Sequence, residues 1–239
     1  MLDGPRLAPL SGERANALII LVHGYGSNGD DLISLARMIQ PALPAAAFVA
    51  PNAPSIIPSM ADAHQWWPIE TFSPTERAIG AAAAAPELDS FLSRELDAHD
   101  LTDDRLLLVG FSQGTMMSLH VGLRRPKPIA GIVGISGMLV APETLEAEIR
   151  IRPPVLLIHG TADEVVPFRS LELASKALSA AGVPVATHVS PGVGHSVDQD
   201  GLAAAAAFAV RLLSCPFSPA PPPPYGGPQP KGEEHGNVS

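Results

Sequence analysis

The sequence predicts an α/β fold, in which a mostly parallel sheet carries helices on both faces. Strand-like and helix-like segments alternate along the chain, as expected for parallel strands joined by crossover helices. Several strand-like segments are apolar at successive positions, which is typical of a sheet covered on both faces. With 239 residues, of which 46% are hydrophobic, the chain is long enough for one domain with a sizeable core.

Six strands and five helices make up the predicted order. Strands are predicted at 17–24, 46–51, 105–110, 129–137, 154–160 and 183–190. Helices are predicted at 30–39, 75–99, 113–125, 169–182 and 199–213. Pro86 lies inside the long second helix and is expected to kink or split it, because proline lacks a backbone donor and clashes with the preceding turn.

Composition changes once, near residue 215. Residues 216–239 are rich in proline and glycine and have almost no apolar periodicity. We therefore expect one domain over residues 1–215, followed by a disordered, proline-rich tail over 216–239. The tail contains PxxP spacing, but a solvated tail is a simpler interpretation than a ligand for proline-binding domains.

Charge and cysteine content exclude several classes of protein. The formal net charge of −9 argues against a nucleic-acid partner, because phosphates require a basic surface. No apolar run reaches the roughly 18–20 residues of a membrane span, so no stable membrane insertion is expected. The first residues lack the apolar segment of a secretory signal, and Cys215 is the one cysteine. These features favour a cytoplasmic location without disulfides.

The most informative stretch is RLLLVGFSQGTMMSL, residues 105–119, in which an apolar strand runs into the pattern G-x-S-x-G. Ser112 lies at the carboxyl end of this strand, where parallel sheets bind their ligands. Gly110 and Gly114 flank the serine because side chains at these positions would crowd a sharp turn from strand to helix. The helix that follows directs N–H groups and partial positive charge at the hydroxyl. This context predicts that Ser112 is a nucleophile.

A serine hydroxyl is a weak nucleophile unless a base accepts its proton, so a histidine and an orienting carboxylate are expected later in the chain. Asp163 follows a later strand, in LLIHGTADEVVP, and His195 follows the last strand, in SPGVGHSVDQDGL. The order serine, aspartate, histidine is the one that this architecture uses. His188 is the nearest rival base, but it falls inside a strand. Glu164 is the rival acid, but it adjoins Asp163 and is expected to point elsewhere.

The negative charge that develops on a substrate carbonyl requires hydrogen-bond donors already in place. The backbone N–H of Gln113, directly after the nucleophile, is one candidate. The second is expected from the loop after the first strand, VHGYGSNGDD, where Gly24 and Gly26 leave the backbone open and Tyr25 presents its N–H. A plain tight turn before a helix is the alternative interpretation of this loop.

With these residues assembled, the chain resembles the carboxylesterase/phospholipase family of α/β-hydrolases, which includes the acyl-protein thioesterases. The resemblance covers roughly residues 6–213 and rests on LVHGYGSNGDDL, APNAP, WW, GFSQG, GISG, HGTADEVVP and GVGHS. It implies an α/β-hydrolase fold with a minimal lid and no metal or organic cofactor. It also implies roles for individual residues: nucleophile Ser112, general base and acid His195, histidine partner Asp163, and oxyanion-hole N–H groups of Tyr25 and Gln113.

Two residues depart from the family pattern. Thr115 stands where the family usually has a glycine, GFSQGG, and its β-branched side chain is expected to tighten the packing behind the nucleophile. Tyr25 replaces the leucine typical of the eukaryotic thioesterases, and its ring is expected to narrow the pocket. The resemblance to thioesterases that act on proteins is therefore weaker than the resemblance to small esterases.

Four further residues are candidates for the substrate pocket: Trp66, Trp67, Met116 and Val165. The two tryptophans lie in a segment that could fold over the site, although large aromatic residues also fill cores. Core filling is an equally good interpretation for the methionine. His23 and His159 match no metal signature and are interpreted as hydrogen-bonded structural residues. His64 is interpreted as a surface residue, with contact to substrate as the alternative.

The sequence as a whole predicts a serine hydrolase that cleaves small or medium-chain carboxylic esters through an acyl-enzyme intermediate. An acyl-protein thioesterase or a lysophospholipase with the same triad is the alternative within this class. A dienelactone hydrolase is disfavoured because those enzymes use a cysteine nucleophile, and a non-catalytic binding module is disfavoured because no triad member is missing. The expected partner is a small-molecule ester. The oligomeric state stays open, although family members often pair, so a homodimer is one expectation.

Overall fold

The computed structural model describes residues 1–214, so Cys215 and the tail predicted at 216–239 lie outside the described residues. Nine strands are present in the described part: β1 (Arg6–Leu7), β2 (Ala17–Val22), β3 (Ala46–Val49), β4 (Ser55–Ile56), β5 (His64–Gln65), β6 (Leu106–Phe111), β7 (Gly131–Ile135), β8 (Val155–Gly160) and β9 (Val185–Ser190). The helices of the same part are α1 (Gly29–Ile39), α2 (Pro74–His99), α3 (Gln113–Gly122), α4 (Leu145–Glu148), α5 (Arg169–Ala180) and α6 (Gln199–Leu213). None of these helices has the length and apolar character needed to cross a membrane.

Seven of the strands form one sheet in the order β1-β3-β2-β6-β7-β8-β9, while β4 and β5 pair separately. Within the main sheet, β1 pairs with β3 in antiparallel fashion and the other neighbours pair in parallel. The carboxyl ends of β2, β6, β7, β8 and β9 therefore meet at one edge. The predicted mostly parallel sheet with helices on both faces is confirmed.

Strand β2 shows how the sequence builds a core on each face of the sheet. All six of its residues are buried. Leu18, Ile20 and Val22 face one cluster, which includes residues of α2, α3 and α5. Their neighbours face the opposite cluster, which includes residues of α1 and α6. Since successive side chains of a strand point to opposite faces, a continuous apolar run satisfies both layers.

Three helices begin at side chains that accept a hydrogen bond from the first turn. The Asn28 side chain accepts from the N–H of Asp31 at the start of α1. Ser73 and Asp198 do the same at the starts of α2 and α6. Such caps satisfy backbone donors that have no partner inside a helix, and they fix where the loops of the carboxyl edge end.

Helix α2 is not split at Pro86. It runs as a single α-helix of 26 residues with the proline inside it. Pro86 and Ala82, whose carbonyl loses its usual donor, are both exposed. The unpaired carbonyl oxygen therefore lies on the solvent side of the helix, where water can satisfy it.

Candidate active site

Ser112 lies in a sharp turn between β6 and α3. Its backbone has φ 54° and ψ −118°, a region that is strained for a residue with a side chain. A Cβ on Gly110 would overlap the backbone of residue 114, and one on Gly114 would overlap the carbonyl oxygen of Val22. The two glycines are therefore required by the close approach of backbone on either side of the serine.

The structure brings Ser112, His195 and Asp163 together at the carboxyl edge of the sheet. The Nε2 atom of His195 lies 3.0 Å from the Oγ atom of Ser112. Its Nδ1 atom lies 2.9 Å from the Oδ2 atom of Asp163. Because an ionised carboxylate only accepts hydrogen bonds, Nδ1 carries the proton and Nε2 is free to accept from the serine hydroxyl. The three side chains thus form one continuous chain of hydrogen bonds.

Asp163 is held rigidly by its own loop. Its Oδ1 atom accepts hydrogen bonds from the backbone N–H groups of Val165, at 2.9 Å, and Val166, at 2.8 Å. Its Oδ2 atom faces His195 and also lies 3.3 Å from the Nε2 atom of the buried His159. That nitrogen of His159 lies 2.9 Å from the carbonyl oxygen of Val166, to which it donates. Both carboxylate oxygens therefore have fixed partners.

The same partners keep the carboxyl of Asp163 ionised. Burial alone would raise its pKa, because it disfavours the charged form. Hydrogen bonds from His195 and from the backbone of Val166 and Val165 outweigh burial and hold the pKa of Asp163 below its ordinary value. A negative charge at this position orients the His195 ring, because the carboxylate accepts the hydrogen bond from its Nδ1 atom.

The rival residues lie elsewhere. His188 lies within β9, an edge strand of the sheet, beside Ile158 of β8. The side chain of Glu164 is exposed, whereas that of Asp163 is fully buried. Of the candidate bases and acids, the structure therefore brings His195 and Asp163 to the serine.

The loop after β2 passes directly beside the serine. A Cβ on Gly24 would lie 3.0 Å from the Cβ atom of Ser112. Within residues 1–214, the backbone N–H groups of Tyr25 and Gln113 donate to no protein acceptor. The N–H of Gly26, by contrast, donates to the carbonyl oxygen of His64. Tyr25 and Gln113 therefore keep open donors near the hydroxyl, while Gly26 does not.

The four pocket candidates divide into two groups. Trp66, Trp67 and Met116 are buried in the cluster that packs α2 and α3 against the sheet. Val165 is 61% exposed and lies two residues from the carboxylate of Asp163. The structure therefore does not gather the four into one exposed wall, and their contact with substrate stays a prediction.

The histidines interpreted as structural or surface residues make backbone hydrogen bonds. In His23, Nδ1 donates to the carbonyl oxygen of Gly24 at 2.7 Å, and Nε2 accepts from the N–H of Ala53 at 2.9 Å. Burial lowers the pKa of His23 to about 4, so the ring is neutral near pH 7. The Nδ1 atom of His64 lies 2.8 Å from the carbonyl oxygen of Ala53. The His23 ring therefore ties the loop after β2 to the segment after β3, and the His64 ring ties β5 to the same segment.

Sequence reasoning missed two polar side chains that support the turn. Thr115 packs behind the serine as expected, but its hydroxyl also bonds to the β7 backbone: the N–H of Ile135 donates to it at 2.9 Å. The buried side-chain amide of Gln113 pairs with the backbone of Trp66 and Trp67. The presence of an amide directly after the nucleophile was the available signal, but its partners are distant in sequence.

Comparison with known proteins agrees with this geometry. The sequence profile described as phospholipase/carboxylesterase matches residues 10–212. The crystal structure of esterase PE8 is similar, with a TM-score of 0.85 and 44% identity, over 88% of this chain and 99% of that chain. Acyl-protein thioesterase 1 of Gibberella zeae is 28% identical over 232 residues, which cover 89% of this chain and 98% of that protein. Acyl-protein thioesterase 1 of Schizosaccharomyces pombe is 35% identical over 159 residues, 63% of this chain and 70% of that protein.

The profile match spans most of the chain and contains every candidate residue of the turn, the base and the acid. The protein is therefore a serine hydrolase of the α/β-hydrolase fold, and the chain belongs to the phospholipase/carboxylesterase family.

Proposed function

We propose that the protein is a carboxylesterase that cleaves small or medium-chain esters, with Ser112 as nucleophile, His195 as general base and acid, and Asp163 as the partner of the histidine. The observation that carries the proposal is the hydrogen-bonded chain from Ser112 Oγ through His195 to Asp163, at 3.0 Å and 2.9 Å. These are the distances over which a proton can pass from alcohol to imidazole.

The proposed reaction has two halves. In the first, Ser112 Oγ attacks the ester carbonyl while His195 Nε2 takes its proton, and the imidazolium then protonates the departing alcohol. In the second, the same nitrogen takes a proton from water, whose oxygen attacks the acyl-enzyme. The imidazolium then returns this proton to Ser112 Oγ as the bond to the acyl group breaks and the acid leaves. The carbonyl oxygen carries negative charge in both tetrahedral states and accepts from the N–H groups of Tyr25 and Gln113.

The choice between an ester and a protein thioester is argued from the relatives. Esterase PE8 is 44% identical over 88% of this chain, whereas the acyl-protein thioesterase of Gibberella zeae is 28% identical over a similar span. The higher identity to an esterase favours an ester over a protein thioester. The small size of the substrate rests on the expectation from the sequence that the ring of Tyr25, which is 40% exposed, narrows the pocket.

The nucleophile is tested by Ser112→Ala. We expect the variant to lose nearly all hydrolysis of p-nitrophenyl butyrate and all labelling by a fluorophosphonate probe, because no other hydroxyl in the part of the chain that the structure describes is hydrogen-bonded to His195. Ser136→Ala is the matched control, since Ser136 is also buried, follows a strand and has a positive φ. The Ser136→Ala variant should be labelled by the probe as wild type is. Turnover by Ser112→Ala above a few per cent of wild type, with the fold intact by circular dichroism, would refute the proposal.

An acyl-protein thioesterase is the second candidate, because the relatives that carry this name match over nearly their whole length. The two functions differ in acyl preference. We expect kcat/KM on p-nitrophenyl esters to be greatest for acetate, butyrate or octanoate and to fall for palmitate. A maximum at palmitate, together with faster cleavage of a palmitoyl thioester than of the matched ester, would favour the thioesterase instead.

A further inference from the structure

We infer that Gln113 is a positioning residue of the oxyanion hole. The hole has two arms, the backbone elements that carry its two N–H donors, and the side-chain amide of Gln113 connects one arm to residues 64–67, which also hold the other. These four residues are called the bridging segment below. The inference rests on the proposed esterase function and assigns a role to a side chain that lies outside the triad.

The first arm of the hole begins at α3 and is fixed by the amide itself. The Oε1 atom of Gln113 accepts from the N–H of Trp66 at 2.9 Å, and its Nε2 atom donates to the carbonyl oxygen of Trp67 at 3.0 Å. The residue is 1% exposed. A primary amide that bonds to two adjoining backbone groups in this way is held in one orientation. Because the side chain is fixed at its end, the backbone N–H of Gln113 is held in place as well.

The second arm is the loop after β2, and the same bridging segment holds it. The indole Nε1 of Trp66 donates to the carbonyl oxygen of His23 at 3.0 Å. The N–H of His64 donates to the carbonyl oxygen of Ser27, and the N–H of Gly26 donates to that of His64, both at 2.9 Å. These bonds bracket Tyr25, whose N–H is the open donor.

The two donors belong to elements that are far apart in sequence, and the bridging segment bonds to both. Their spacing around the carbonyl oxygen of a substrate therefore depends on this segment. Trp66 is the central residue, since its backbone bonds to Gln113 and its indole bonds to His23. An oxyanion hole stabilises the transition state only while its donors stay aimed at one point, so loosening either connection should slow the chemical steps.

The test is Gln113→Met, which keeps a buried, unbranched side chain of similar length but removes both hydrogen bonds. Active sites are counted with a fluorophosphonate titrated to its end point, and kcat is expressed per labelled site on p-nitrophenyl butyrate. We expect kcat to fall on the order of 10- to 100-fold, which is no more than the fall caused by removing a whole oxyanion-hole donor. KM should change little. Inhibition by a trifluoromethyl ketone, which forms a tetrahedral oxyanion on Ser112, should weaken by the same factor as kcat/KM.

Ser118→Ala is the matched control, because Ser118 is a fully buried polar residue of the same helix whose hydroxyl has no partner within the described residues. Its kcat per labelled site should equal that of wild type. If Gln113→Met has wild-type kcat per labelled site, the amide merely stabilises the fold and the inference is overturned, even if the variant melts earlier.

A second variant keeps the inference testable if Gln113→Met fails to fold. Trp66→Phe keeps an aromatic ring but removes the indole N–H that bonds to His23, and it should lower kcat per labelled site in the same way by a smaller factor. Wild-type kcat in this variant would contradict the bridging role. The proposed esterase function is judged separately, by the labelling of wild type and its loss in Ser112→Ala.

Discussion

At the scale of single residues, the strained turn at Ser112 is supported from behind by Thr115. The N–H of Ser112 donates to the carbonyl oxygen of Ile135 at 2.9 Å, and the N–H of Ile135 donates to Thr115 Oγ1 at 2.9 Å. The methyl group of Thr115 fills the space over Gly134 and Gly137, where an added Cβ would overlap it. The departure from the family pattern thus exchanges a glycine for a hydroxyl and a methyl group that join α3 to β7.

Two substitutions separate the contributions of these groups. Thr115→Val removes the hydroxyl, which bonds to the backbone of Gly110 and Ile135, and should lower the free energy of unfolding by about 1–3 kcal/mol. Thr115→Ser keeps the hydroxyl and loses one methyl group, which should cost about 1 kcal/mol. Urea unfolding of the two variants checks the order. A valine variant as stable as wild type would mean that the hydroxyl contributes nothing to holding the turn.

At the scale of secondary-structure elements, the central strands and the long helices could be predicted. In these elements, local secondary-structure preference and burial in the folded protein favour the same residues. Strands β2, β6, β7 and β8 are almost wholly buried, so their sequences are uninterrupted apolar runs. Helices α1 and α5 carry a buried stripe at helical spacing. Burial against the sheet therefore leaves a pattern that is visible in the sequence, continuous in these strands and periodic in the helices.

The elements that escaped prediction are those held by distant contacts. Strand β1 has two residues and no period; the guanidinium of Arg6 pairs with Glu95 of α2, which fixes it beside β3. Strands β4 and β5 have two residues each, and His64 forms an isolated β-bridge with Ser27 of the loop after β2. Pro86 does not split α2, because a solvent-facing carbonyl tolerates a missing donor that a buried one would not.

The candidate site divides along the same line. Ser112, Asp163 and His195 each follow a predicted strand, so the parallel topology alone brings them to one edge. The pairing of the Gln113 amide could not be foreseen, because it depends on where the backbone of Trp66 lies in space. Side chains that take part in the chemistry can be recognised from a sequence motif. Side chains that hold the backbone in place appear in the sequence only as single polar residues, whose partners cannot be recognised.

At the scale of the whole molecule, the fold encloses titratable rings that cannot be charged without cost. Burial lowers the pKa of His23 and of His120 to about 4 each. His120 faces Arg124, which lowers its pKa further, and Glu148, which opposes that effect. His23 faces His64, which lowers its pKa, and Asp31, which raises it. Both rings are therefore neutral in the folded protein at pH values where they would be charged in the unfolded chain.

This difference makes stability depend on pH in a defined window. Below about pH 6.5 the unfolded chain binds protons that the folded chain does not, so the free energy of unfolding falls as the pH is lowered towards 4. Each ring should contribute a slope of about 1.4 kcal/mol per pH unit, and His23 alone about 3 kcal/mol over the window. Carboxylates with lowered pKa values, such as Asp163 and Asp198, withdraw their contribution only at lower pH, near and below their unfolded values.

His120→Leu isolates one of the two rings, because its Nδ1 atom has no partner within residues 1–214 and leucine leaves no polar atom unpaired there. At pH 7 the variant should be at least as stable as wild type, and between pH 6.5 and 4.5 its free energy of unfolding should fall about half as steeply. Urea unfolding at half-unit pH steps measures both slopes. Parallel curves for wild type and His120→Leu would show that this ring is already protonated in the folded protein, and that the helix following the nucleophile carries a buried positive charge.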